Sequence, residues 1–179
     1  MNEDLKKILL TEDQIASKVE ELANAISGDY PKGNVLFLGV LKGSVFFITD
    51  LMRKMKIDVK VDFMAVSSYG DSSESSGIVR ILKDLDADIE GKDVIIVEDI
   101  IDTGTTLKYL YEYLKGRNPR TLKICALLDK PERRKVEINV DYTGYQIPDE
   151  FVVGYGIDYA EGYRYLPYIG ALKEDVYKK

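Results

Sequence analysis

The sequence predicts an α/β fold, a mainly parallel sheet flanked by helices, and three stretches carry that prediction. Residues 94–97, VIIV, are an uninterrupted β-branched run of the kind found in strands buried on both faces. Behind them Leu107, Leu110, Tyr111 and Leu114 recur at i, i+3, i+4 and i+7, one face of a helix. Residues 35–40, VLFLGV, repeat the arrangement, with a short loop through Gly43 and a helical stretch at 45–55. Residues 122–128, LKICALL, are a third buried run. Repeated strand–loop–helix units build parallel sheets with helices on their faces. The 179 residues suit a single domain over 1–179 with a full core.

The remaining elements follow in order. Thr11 and Gln14 form a T-x-x-Q capping box, and Ile15, Val19, Leu22, Ala23 and Ile26 mark a helix face that ends near Gly28. Pro31 and Gly33 break the chain before the strand at 35–40. Residues 57–66 alternate apolar and polar, so they read as a strand with one wetter face. SSYGDSSESSG at 67–77 is a polar loop, and 78–85 returns as a strand to close a hairpin. ERRK at 132–135 reads as a solvated turn. FVVGYGIDY at 151–159 reads as an apolar strand broken by Gly154 and Gly156. Tyr163, Tyr165 and Tyr168 are assigned to packing or a subunit interface.

Composition excludes several chemistries. The chain has no His and one Cys, so Ser-His-Asp, Cys-His and His- or thiolate-based zinc sites are ruled out. Acid–base work falls to Asp, Glu, Lys or Tyr, and a bound metal should be a hard ion on oxygen, Mg²⁺ first. Cys125 lies in an apolar run and reads as a small core residue. The net charge of −6 argues against a general nucleic-acid binder. No apolar stretch is long enough to span a bilayer, and no signal peptide is present, so a cytoplasmic protein is expected.

The chemistry concentrates after the run at 94–97. Glu98 and Asp99 follow at once as an acidic loop, then Asp102, then Thr103-Gly104-Thr105-Thr106 opening the helix. Small residues at a helix N-terminus let backbone N–H groups approach a phosphate. A simple helix cap by Asp102 or a Thr is the alternative. Three carboxylates beside an apolar strand are costly unless paired, solvated or engaged with cations. Ligands of open α/β sheets gather at the carboxyl ends of strands, where these acids lie. A site for phosphate, Mg²⁺ and hydroxyl groups would use them all. Lys42-Gly43-Ser44 repeats the pattern as a second anion loop or an ordinary strand–helix turn. Lys130, after the strand at 122–128, is a ligand contact or a plain surface charge.

EDIIDTGTT at 98–106 resembles the phosphoribosyl pyrophosphate (PRPP) motif of phosphoribosyltransferases, and more narrowly that of the hypoxanthine-guanine enzymes. The matched motifs run in order from LKGS at 41–44 to Arg164. The resemblance implies a small hood lobe over the base, formed mainly by the C-terminal segment. It implies that Glu98 and Asp99 meet the ribose hydroxyls and take part in metal binding, and that Thr103, Gly104, Thr105 and Thr106 hold the 5′-phosphate. Thr105 stands where some members carry Lys. Asp102 would face purine N7 as the catalytic group. Lys42, Gly43 and Arg164 would contact pyrophosphate, and Ser68 and Tyr69 would belong to a loop that closes over the site. Lys130 would donate to the purine 6-oxo group, Phe151 would stack on the base and Val152 would meet its edge. Asp158 would hold Mg²⁺ beside the purine.

The implied reaction transfers phosphoribosyl from PRPP to N9 of hypoxanthine or guanine, giving IMP or GMP and pyrophosphate in purine salvage. The implied assembly is a homodimer or homotetramer, with no nucleic-acid or membrane partner. A xanthine-preferring transferase and a nucleotide-sensing regulator on the same fold are the alternatives. Adenine and orotate members lack an acid at the Asp102 position, whereas xanthine-type members and PRPP synthetases have one, so this motif alone does not fix the substrate.

Overall fold

The computed structural model describes residues 2–68 and 79–178. Its main sheet has six strands in the order β4-β3-β2-β5-β6-β7. These are β2 (Val35–Leu41), β3 (Val59–Ser68), β4 (Val79–Lys83), β5 (Asp93–Ile101), β6 (Thr121–Asp129) and β7 (Tyr142–Gln146). All neighbours run parallel except the β3–β4 hairpin. Helices α1 (Glu12–Asp29), α2 (Val45–Lys54) and α3 (Thr105–Lys115) cover the faces. A smaller sheet, β1-β9-β8, joins β1 (Leu5–Leu10) from the chain's start to β8 (Val152–Val153) and β9 (Ile169–Leu172), with a short α4 (Glu174–Tyr177) behind it.

The apolar runs divide between two cores according to strand alternation. Phe37, Ile95, Val97 and Leu127 pack with α1 and α2. Leu36, Leu38, Val94, Ile96, Ile124 and Ala126 pack with Leu107, Leu110 and Leu114 of α3. A strand covered on both faces has no polar side to present, hence VIIV and VLFLGV. Cys125 is fully buried in the first core. The capping box forms as expected, with the Thr11 hydroxyl accepting from Gln14 N and the Gln14 side chain accepting from Thr11 N. No described helix is long and apolar enough to cross a membrane.

The structure corrects several expectations. Glu98 and Asp99 do not sit in a loop. They belong to β5, whose ladder with β6 continues to Ile101 paired with Asp129. The segment 151–159 is broken at Gly154 and Gly156 as expected, but only Val152–Val153 pairs as a named strand, because positive φ at Gly154, Tyr155 and Gly156 turns the chain. Neither Asp102 nor a Thr caps α3; Gly104 does, at φ +80, with no side-chain cap bond. Residues 132–135 are not simply solvated, since a 3₁₀ turn at Pro131–Arg133 directs two arginines onto the Asp102 segment. Strands β1, β7 and β9 were not foreseen: they are short, and in β1 Lys6, Lys7 and Ile8 are exposed in a row without alternation. Tyr69 and most of the loop at 67–77 lie outside the described residues, while Ser68 ends β3 opposite Val79.

Candidate active site

The carboxyl end of β5 organises the site. On its β2 side the ladder stops at Val97, paired with Gly39, while on its β6 side it runs on to Ile101. The acids therefore lie on a strand held from one flank and open on the other. Alternation sends Glu98 toward α3, where it lines a cavity of about 160 Å³ with Asp102, Thr103, Gly104, Thr106 and Leu107. Asp99 faces the other way, against the Lys42–Gly43 turn. A Cβ built on Gly43 would fall 1.8 Å from Asp99 Oδ2, and one on Gly156 would fall 2.1 Å from the Gly43 carbonyl. Two glycines thus let three chain segments converge on one carboxylate. The Leu41–Lys42 peptide is cis.

Electrostatics at these acids follow from depth. Burial pushes the Asp99 carboxyl up to about 6, opposed by backbone hydrogen bonds and by Arg164. Burial, with the neighbouring charge of Asp99, raises Glu98 well above the usual carboxylate range. Desolvation is the largest cause of both shifts, and a cation beside either carboxylate would favour its charged form. Asp158 adds an oxygen donor within electrostatic reach of Asp99, and it is paired with Arg164 Nη2 at 2.8 Å. Among the described residues no three His, Cys, Asp or Glu cluster closely enough to cage a metal ion. The donors fit a hard cation that takes its remaining ligands from water or substrate.

The cations lie on the far side of Asp99. Arg164 Nη1 donates to the Gly156 carbonyl at 2.7 Å. Its Nε is buried with no partner among the described residues. Lys42 Nζ pairs with Glu161 at 3.0 Å, and Arg164 reaches the same carboxylate at 3.5 Å.

Beside the acids opens a cleft of about 490 Å³ lined by Ile100, Asp102, Lys130, Val152, Phe151 and Asp158, among others. Lys130 is only 7% exposed, an unusual place for an ammonium. Its N–H donates to the Ile101 carbonyl at 2.9 Å, which sets it beside Asp102 across the β5–β6 pair. Burial lowers its pKa, opposed by Asp102 and Asp149. Phe151 stacks on Tyr177 with centroids 4.7 Å apart and meets the Tyr159 ring edge-on at 5.5 Å.

The structure therefore brings Glu98, Asp102, Thr103, Gly104 and Thr106 around one cavity, and Asp102, Lys130, Phe151, Val152 and Asp158 around the next. Thr105 is the first residue of α3, its N–H 3.4 Å from the Thr103 hydroxyl. Sequence reasoning missed Arg133, Asp149, Glu174, Tyr177 and Lys178, which also line the larger cleft.

Comparison with known proteins bears on this geometry. A phosphoribosyl transferase domain model matches residues 7–160. The hypoxanthine-guanine phosphoribosyltransferase of Streptococcus pyogenes is 54% identical over the whole chain and 99% of its own length. That of Streptococcus agalactiae is 52% identical over the same shares. The crystal structure of a hypoxanthine phosphoribosyltransferase from Staphylococcus aureus superposes with a TM-score of 0.95 at 51% identity, covering 98% of this chain and 96% of that one. With the matched domain, the full-length relatives and the shared architecture in agreement, the chain belongs to the phosphoribosyltransferase family, in its hypoxanthine-guanine branch.

Proposed function

We infer that this chain transfers the 5-phosphoribosyl group of PRPP to N9 of hypoxanthine or guanine, giving IMP or GMP and pyrophosphate. The observation that carries the base assignment is Lys130, a buried ammonium beside Asp102 in the cleft that joins the phosphate cavity. A 6-oxopurine offers Lys130 an acceptor, whereas adenine offers it a donor, and an ammonium only donates.

The other roles are carried over from the family resemblance. The α3 N-terminus and Thr103 to Thr106 bind the 5′-phosphate through backbone N–H groups and hydroxyls. Glu98 and Asp99 take the ribose hydroxyls, and as carboxylates they favour positive charge developing on the ribose ring. Lys42, the Gly43 backbone and Arg164 neutralise the departing pyrophosphate. Phe151 lies against the base and Val152 meets its edge. Asp102 accepts the N7 proton as N9 bonds to C1′ and the bond from C1′ to the pyrophosphate oxygen breaks. Mg²⁺, when bound, would be held by Asp158 and the ribose-facing acids and would neutralise pyrophosphate charge. Ser68 and Tyr69 belong to a segment that excludes water during transfer. The enzyme acts in the cytoplasm as a homodimer or homotetramer, without nucleic-acid or membrane partners.

Steady-state kinetics with each base at saturating PRPP test this reading. Hypoxanthine and guanine should be used and adenine essentially ignored. Lys130→Ala should raise KM for the base by roughly 10- to 100-fold, as loss of a charged hydrogen bond implies, with KM for PRPP little changed. Comparable turnover of adenine and hypoxanthine by the wild-type protein would refute it.

A further inference from the structure

The turn that follows Lys130 touches Asp102 twice. Arg133 Nε donates to Asp102 Oδ1 at 3.0 Å. Arg134 Nη1 donates to the Asp102 carbonyl at 2.9 Å, and its Nη2 is ion-paired with Asp129 at the end of β6. The same turn binds one residue further along, where Lys135 N donates to the Thr103 carbonyl at 2.9 Å. Arg133 is itself held from a second side, with Nε 3.6 Å from Asp149. Arg133, Asp149 and Asp102 all line the base cleft.

We propose that Arg133 is a positioning residue for Asp102, occupying Oδ1 so that Oδ2 is presented to N7 of the purine. The proposal rests on the reading that Asp102 serves the purine. Among the described residues Oδ2 makes no hydrogen bond, whereas Oδ1 is engaged. Asp102 and Arg133 are nearly half exposed, at 44% and 46% of their side chains. A pair so wet adds little to stability. What it does supply is orientation. A carboxylate free to rotate about χ1 and χ2 offers either oxygen in many directions, and Arg133 removes that freedom before the base arrives. Arg134 fixes the backbone beneath it, so side chain and main chain of one residue are held by adjacent arginines. Lys130, at the start of the same turn, remains available to the 6-oxo group. The turn thus sets both contacts to the imidazole and 6-oxo edge of the base in one piece.

The test is a double-mutant cycle in the full-length enzyme, read as kcat and as KM for hypoxanthine and for PRPP. Arg133→Met should lower kcat about 10- to 100-fold, the scale expected for a reacting group displaced by roughly 1 Å, with KM for PRPP unchanged. Arg133→Lys, which keeps a donor of the same sign, should recover most of the loss. In an Asp102→Ala background Arg133→Met should change kcat less than about 2-fold, because nothing remains to be positioned. Wild-type kcat in Arg133→Met, no recovery in Arg133→Lys, or an undiminished effect in the Asp102→Ala background would each overturn the positioning role. A wild-type enzyme that makes no nucleotide from hypoxanthine and PRPP would instead overturn the purine reading beneath it.

Discussion

Gly43 contributes to the site by having no side chain. A methyl there would fall on the Asp99 carboxylate, and the Gly43 carbonyl in turn leaves no room for a side chain at Gly156. Gly43→Ala is therefore expected to displace either the Lys42 turn or Asp99. KM for PRPP should rise at least about 10-fold, since a 1 Å misplacement is worth up to a hundredfold, while the thermal midpoint moves little; titration calorimetry with Mg-PRPP checks the affinity directly. At this scale the sequence was readable where chemistry is contiguous. Glu98, Asp99, Asp102 and the Thr-Gly-Thr-Thr run lie within nine positions, so strand and helix periodicity place them together. Arg133 and Tyr177 were not readable. Each reaches the cleft only through a tertiary turn, and an Arg among charges or a Tyr near a chain end carries no local pattern.

Among the elements, β5 was legible as a buried strand but its length was not. Its apolar core ends at Val97, and charged residues ordinarily mark a loop. Here the β6 ladder carries the backbone four residues further and turns the acids into strand residues. The opposite end of β5 is fastened by Asp93, only 5% exposed, which accepts from Arg120 and from the Thr121 hydroxyl at the start of β6. The Arg120 hydrogen bond holds the Asp93 carboxyl below the usual carboxylate range. A depressed native pKa contributes stability that is complete above the unfolded value, near 4, and is lost as pH falls through the native one. Asp93→Asn should lower stability at pH 7 by roughly 1–2 kcal/mol and flatten the acid limb below about pH 4. Urea titrations at a series of pH values report both. A parallel acid limb in the two proteins would show that Asp93 is not the group responsible.

Over the whole molecule, parallel α/β organisation was evident because three apolar runs each preceded a helix or a turn. A small lobe was expected only from the family resemblance, and its strands were hidden, because they have six, two and four residues and come from opposite ends of the chain. They are joined by the antiparallel β1–β9 pair, by Lys173 N to the Asp4 carbonyl at 3.0 Å and by a small cluster of Leu5, Val153, Leu166 and Leu172. Leu5 is 1% exposed and fills the space left by Gly170. Leu5→Ala should cost about 2–3 kcal/mol, measured as a shift in the urea midpoint of the smaller sheet.

That join also orders how the protein comes apart. The smaller sheet joins the main core through Leu10, Val152 and Ile169 and otherwise rests on the small cluster around Leu5, whereas the main sheet is covered on both faces along its length, so the two are expected to be cooperative units of unequal strength. Val152, Phe151 and the Tyr177 ring ride on the weaker unit. Amides of Ile169–Leu172 should exchange with deuterium at urea concentrations that leave those of Asp93–Ile101 protected. Turnover should disappear in the same range, before the main-sheet amides lose protection. Simultaneous release of both sets of amides would mean that the two sheets open as one.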